Sequence, residues 1–172
     1  GIKIVTVKCR LGFKKNNAGE FAKAVEKAGA DAITVHGRLG GEGRGVKADW
    51  EAIKRVKEAV KIPVIGNGDV IDGRSAKELL GICDGVMIAR GAIGDPGIFE
   101  RVLKYLKTGK EEEFDFNKNI ELFSKYLDYC EEYDLKDIGK IKYVGTSFFQ
   151  KVKGASKMRD EFNRLKSFEE IR

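Results

Sequence analysis

Two glycine-bearing turns concentrate the chemistry of this 172-residue chain: GNGD at 66–69 follows the apolar run IPVI, and IARGA at 88–92 follows DGVM. Glycine in such turns lets the backbone come close to a ligand and offer bare N–H groups, which suits a phosphate. Arg90 would add a cationic fork. Turn chemistry explains either motif taken singly, whereas the pair after adjacent strands is more specific. Lys8 ends another apolar run, and an inward ammonium there needs an anion, an electron-rich ring atom or a neighbouring aspartate. His36, the single histidine, could donate to a ligand oxygen, move a proton or simply support structure.

The elements that must position these groups alternate in period. Ile2 to Lys8 reads as a strand, and Ala18 to Ala28 as a helix with Phe21, Ala24, Val25 and Ala28 on one stripe. Strand Asp31 to His36 then precedes helix Asp49 to Val60, and strand Ile62 to Gly66 precedes helix Asp72 to Leu80. Strand Gly85 to Ala89 precedes a helix from about Gly97 to Leu106. Four such β/α units with strands rich in Val and Ile imply a parallel sheet with covered faces, in a barrel or a doubly wound fold. Strand parity sets Thr6, Lys8 and Arg10 on one face, followed by Thr34 with His36, Ile65 with Asn67, and Ile88 with Arg90. Lys8, His36, Asn67 and Arg90 are thus expected on one carboxyl-end rim, where parallel α/β folds gather their ligand-binding groups.

Glycine is uneven, with 17 residues before position 100 and 4 after it, so two architectures are expected. Residues 111–135 hold nine acids against two lysines, and residues 136–166 nine bases against three acids. Apolar residues at helical spacing (Leu122, Phe123, Tyr126, Leu127, Cys130, then Ile141, Val144, Phe148, Phe149 and Val152) suggest a small bundle. Its basic last helices, interleaved with Tyr143, Phe148 and Phe149, could be a solvated face over a core or an RNA surface. Three scattered cysteines without a C-x-x-C exclude a zinc cluster and a disulfide framework. Cys9 falls on the helix-facing side, Cys83 at a helix end and Cys130 on an apolar stripe, and none looks like an activated nucleophile. No apolar run approaches a membrane span and no secretory signal is evident, so a cytoplasmic setting is expected.

VTVKCRLG (5–12), AGADAITVHGR (28–38), ADWEAIKRVKEAVKIPVIGNGDV (48–70) and CDGVMIARGAIGDPGIF (83–99) together resemble the tRNA-dihydrouridine synthase family. FFQKVKGASKMRDEF (148–162) resembles part of its C-terminal helical tRNA-binding domain. The resemblance implies the last four β/α units of a (β/α)8 TIM-type barrel at 1–110, then a small helical tRNA-binding bundle at 111–172. It implies FMN as cofactor and NADPH as reductant, with Lys8 and His36 at the flavin ring and Asn67, Gly68, Asp69, Ala89 and Arg90 at its phosphate. Arg10 and Arg38 become candidates to meet uridine or RNA, as do Lys151, Lys153 and Arg159 in the tail.

No counterpart of the family's first four strands is present, nor of the cysteine segment that protonates the uracil ring, so no catalytic residue and no metal ligand is assigned. An upstream half is therefore expected, and the start at Gly1 in a strand-like run fits an excised segment or processed product. Unpaired strand edges would favour pairing with that half or with a second copy. The intact protein would reduce the C5–C6 bond of uridine in tRNA, and the isolated segment would be inactive. The rival expectations are a catalytically silent tRNA-binding module and another FMN- or phosphate-binding barrel oxidoreductase.

Overall fold

The computed structural model describes residues 3–43 and 45–172. The chain divides into two compact units, Gly1–Ala89 and Arg90–Arg172. The division expected near residue 110 thus falls earlier, directly after the fourth strand, and the helix at 98–108 counts with the helical unit.

The first unit alternates β1 (Thr6–Arg10), α1 (Ala18–Lys27), β2 (Ala32–His36), α2 (Trp50–Ala59), β3 (Val64–Asn67), α3 (Gly73–Leu80) and β4 (Gly85–Met87). The strands form one parallel sheet in the order β1-β2-β3-β4. Ile33, Val35 and Val64 are fully buried, as are Ala22, Ile53 and Leu79 of the helices. Each fully buried Ile, Leu or Val contributes about 1.5–3 kcal/mol relative to exposure. Gly66 belongs to this helix-facing side, since a Cβ there would stand 2.9 Å from the Leu79 side chain. Asp49 caps α2 by accepting from the Ala52 N–H, and Asp72 with Ser75 forms a capping box on α3. Such caps satisfy N–H groups that the helix itself cannot.

Several expected boundaries shift for identifiable reasons. β1 starts at Thr6 because its partner strand, β2, starts at Ala32 opposite it; the expected residue Ile2 lies outside the described residues. The Asp31 carboxylate, not the strand ladder, takes the Val5 N–H. On α1 the buried residues are Ala18 and Ala22, while Phe21, Ala24 and Ala28 of the expected stripe are exposed. That helix contacts α2 on one flank and β1 and β2 beneath, so only one side of its apolar surface is covered. β4 stops at Met87, and the register pairs Met87 with Asn67 and Gly85 with Ile65. The face assigned to Ile88 and Arg90 therefore belongs to Gly85 and Met87.

In the second unit a 3-10 turn (Arg90–Ala92) leads to α4 (Ile98–Thr108), α5 (Phe116–Glu132), α6 (Ile138–Gly145), α7 (Ala155–Arg164) and α8 (Phe168–Ile171). Phe123, Leu127, Cys130, Ile141, Phe148, Phe162, Phe168 and Ile171 make the core, with Phe149 packed against it. Phe123 lies 5.0 Å from Phe148 and 5.7 Å from Phe162 between ring centroids, within the range of favourable tilted and edge-on ring pairs. Gly145 permits this closeness, because a Cβ would stand 2.5 Å from the Phe162 ring. Phe148 is a core residue and Phe149 is half-buried against it, and of the interleaved aromatics only Tyr143 is exposed.

Candidate functional site at the carboxyl ends of the strands

Strand register arranges the site in two rows. Arg10, His36, Asn67 and Met87 pair across the sheet in one row, and Lys8, Thr34, Ile65 and Gly85 in the row before it. Arg10, His36 and Asn67 thus share a level, while Lys8 stands two residues deeper beside Thr34. Lys8 and Arg10 are exposed, His36 is half-buried and Asn67 is buried. The Arg10 guanidinium donates to the Leu39 carbonyl at 2.8 Å, tying β1 to the loop after β2.

The GNGD turn is fastened from three sides. Asn67 donates its side-chain N–H to the Met87 carbonyl at 2.8 Å. Trp50, the single tryptophan of the chain, donates its indole N–H to the Gly68 carbonyl at 3.0 Å. Asp69 accepts from the Ala48 N–H at 2.7 Å and from Arg38 at 2.5 Å. Gly68 has φ 118°, and a Cβ there would come within 2.9 Å of the Ala48 methyl and 3.0 Å of the His36 ring. Glycine at 68 is therefore required for the turn to nest against His36. Asp69 also adopts a left-handed φ of 59°, which aspartate tolerates better than most residues.

Arg38, expected to reach RNA, is instead 2% exposed. Its Nε donates to the Val46 carbonyl at 2.5 Å, Nη1 lies 3.2 Å from His36 Nε2, and Nη2 meets Asp69. A guanidinium has donors only, and here the Val46 carbonyl and the Asp69 carboxylate accept from it beside the His36 ring. This buried link escaped the sequence reading because its partners lie 31 residues apart and become neighbours only through strand register.

Ala89 and Arg90 are both exposed, as the last residue of the first unit and the first of the second. Among the tail candidates, Lys151 pairs with Asp95 at 2.9 Å and stands over the Phe114 ring, and Arg159 donates to the Phe149 carbonyl at 2.7 Å. Lys153 is exposed. Asp95, which sequence reasoning passed over, is buried and also takes two hydrogen bonds from Arg101. Burial pushes the thiols of Cys9 and Cys83 above their ordinary value, opposed only in part by Lys8 and by backbone N–H groups respectively. Raised thiols are the opposite of what a nucleophile near neutrality requires.

No helix among the described residues is long and apolar enough to cross a membrane. Residues 3–171 match the sequence model of the family described as dihydrouridine synthase (Dus). A probable tRNA-dihydrouridine synthase of Rickettsia bellii is 44% identical over 137 residues, covering 74% of this chain and 42% of that protein. The tRNA-dihydrouridine(16) synthase of Salmonella typhimurium is 40% identical over 126 residues, covering 71% of this chain and 39% of that protein. The chain thus spans less than half the length of these relatives. A nitroalkane oxidase from Streptomyces ansochromogenes is similar in structure with a TM-score of 0.41 at 22% identity, over 53% of this chain and 28% of that one. The parallel β/α unit is a partial barrel, the remainder is helical, and the chain belongs to the dihydrouridine synthase family.

Proposed function

We propose that this chain is the flavin-holding part of an enzyme that reduces the C5–C6 bond of uridine in tRNA. The observation that carries the reading is the row Arg10, His36 and Asn67 at the strand ends, with the glycine turn nested against His36. Lys8 and Arg10 are cationic and exposed, and His36 stands between them and the GNGD turn. That donor set fits an anionic, oxygen-rich group such as FMN. Lys8 and His36 would hold the ring, while backbone at Gly68 and Ala89, with the Arg90 side chain, would hold the phosphate. The Asp69 side chain acts from behind, since its two oxygens are committed to Ala48 and Arg38, while Asn67 spends one N–H on the Met87 carbonyl and would offer the rest of its amide to the ligand. Bound FMN, reduced by NADPH, would supply the hydride.

A four-stranded sheet closes into an eight-stranded barrel only with four further strands, from a second copy or from a segment such as the remaining length of the relatives. The helical unit, with the exposed Lys153 and the basic run 136–166, would meet tRNA, whose presence also argues for a cytoplasmic setting. Trp50 gives a direct test. FMN titrated into the 172-residue chain should quench its fluorescence, and Lys8→Ala and Arg90→Ala should weaken that quenching. An unquenched Trp50, with no flavin absorbance retained after gel filtration, would sink the reading. Binding of FMN without any salt-dependent affinity for tRNA would favour a different flavin oxidoreductase.

A further inference from the structure

The cluster around Arg38 carries an inference beyond ligand contact. We propose that Arg38 is a positioning residue that fixes His36 as the imidazole tautomer with its proton on Nδ1, so that the strand-end row presents a fixed N–H donor. The purpose of this donor rests on the flavin reading above; the tautomer itself does not.

A guanidinium has no lone pair to offer, so the 3.2 Å contact between Arg38 Nη1 and His36 Nε2 is a hydrogen bond only if Nε2 accepts. A neutral imidazole has one accepting and one donating nitrogen, and the proton is then on Nδ1. Arg38 cannot turn away to relieve a mismatch, because Nε is held by the Val46 carbonyl and Nη2 by Asp69. Its burial leaves it no water to turn to. The turn closes on the Cδ2–Nε2 edge of the His36 ring as well, where Gly68 leaves no room for even a methyl group. Asp69 thereby has an indirect part: its carboxylate aims the fork that sets the ring. The GNGD turn and the HGR segment act as one device, which accounts for an aspartate in a turn otherwise suited to an anion.

His36 is the only histidine in the chain, so a protein labelled with ¹⁵N-histidine gives a single imidazole spin system. In the 172-residue chain, at a pH where the ring is neutral, Nδ1 should carry the proton and Nε2 should show the shift of an accepting nitrogen. Arg38→Gln should move the ring toward the Nε2–H form, and Asp69→Asn, which frees the fork, should give a mixture. An Nε2–H ring in the wild-type chain overturns the inference without any variant, as does an unchanged tautomer in both variants. FMN affinity separates the two readings. A loss of about tenfold in Arg38→Gln, the order expected when a partner that orients a ligand group is removed, supports positioning. Equal FMN affinity in Arg38→Gln overturns positioning and leaves the flavin reading standing. A wild-type chain with the Nδ1–H ring and no FMN binding sinks the flavin reading and supports the assignment of the ring.

Discussion

Each unit buries one charged residue among those described, but the first buries a cation and the second an anion. In the β/α unit Arg38 is 2% exposed and its partner Asp69 31%. In the helical unit Asp95 is 8% exposed, with Arg101 at 17% and Lys151 at 49%. The planar fork of Arg38 meets groups from three separate segments, so every angle is set by another element. Asp95 is served by two long cations, one of them half in water, and precedes α4, whose N-terminus favours an anion. A buried pair does little for net stability, yet loss of one partner is costly because the other stays behind. The first arrangement therefore specifies geometry, and the second tolerates adjustment.

One tightly placed left-handed glycine from each unit gives the largest effects expected. Gly94 has φ 75°, and a Cβ would stand 2.1 Å from the Ser147 carbonyl oxygen. Backbone cannot move aside, so Gly94→Ala should cost about 3 kcal/mol or more. Gly68→Ala meets the Ala48 methyl and the His36 ring, which can give a little, and should cost about 2 kcal/mol. It should also displace His36. Urea midpoints of both variants, with the Trp50 emission maximum as a reporter of the turn, check this order. A Gly94→Ala chain as stable as wild type would show that the Ser147 backbone shifts to admit the methyl group and that the helical unit repacks at this contact.

Removing the ion-pair partners is the next test. Arg38→Met keeps the aliphatic stem but removes the donor that Asp69, the Val46 carbonyl and His36 meet. We expect a loss of about 2–3 kcal/mol, below the ~3–5 of a fully buried pair because Asp69 reaches solvent. Asp95→Asn keeps an acceptor oxygen for Arg101 and lets Lys151 turn to water, so about 1–2 kcal/mol is expected. Equal losses in thermal denaturation would break the distinction between a specifying pair and a tolerant one.

Legibility in the sequence follows the same division. The β/α alternation was readable because period-2 runs such as ITV and period-3.6 helices are local properties, and His36 and Asn67 emerged on one row as parity required. Parity failed at β4, where the strand stops at Met87 and a 3-10 turn starts at Arg90, because nothing in VMIAR marks the last ladder bond. Arg38 read as a surface arginine because burial of a cation depends on acceptors that tertiary structure brings from elsewhere. Asn119 was legible and missed: it precedes Phe123, Leu127 and Cys130 on the buried stripe of α5. A polar residue in that series signals a buried amide with work to do. It donates to the Gly94 and Phe148 carbonyls.

The smallest effect expected is a dependence on pH that separates two surface pairs of similar length. Asp84 pairs with Lys57 at 2.7 Å and accepts from the Val64 N–H at 2.8 Å. The Lys57 hydrogen bond first, and then that N–H, hold its carboxyl below the ordinary carboxylate value. A carboxyl whose folded pKa is depressed stabilises the fold above its unfolded value, and the contribution fades as pH falls through the folded one. Lys57 and Asp84 are 34% and 39% exposed, so solvent screening leaves less than about 1 kcal/mol. In the helical unit Glu100 pairs with Lys118, also at 2.7 Å, and Lys118 likewise lowers its carboxyl. Both of those side chains are more than half exposed and Glu100 holds no backbone group of a strand. Asp84→Asn should lower Tm at neutral pH and approach wild type near about pH 3, whereas Glu100→Gln should leave Tm unchanged at both. If the two variants behave alike, the Asp84 charge adds no more at the start of β3 than the Glu100 charge adds on the surface of α4.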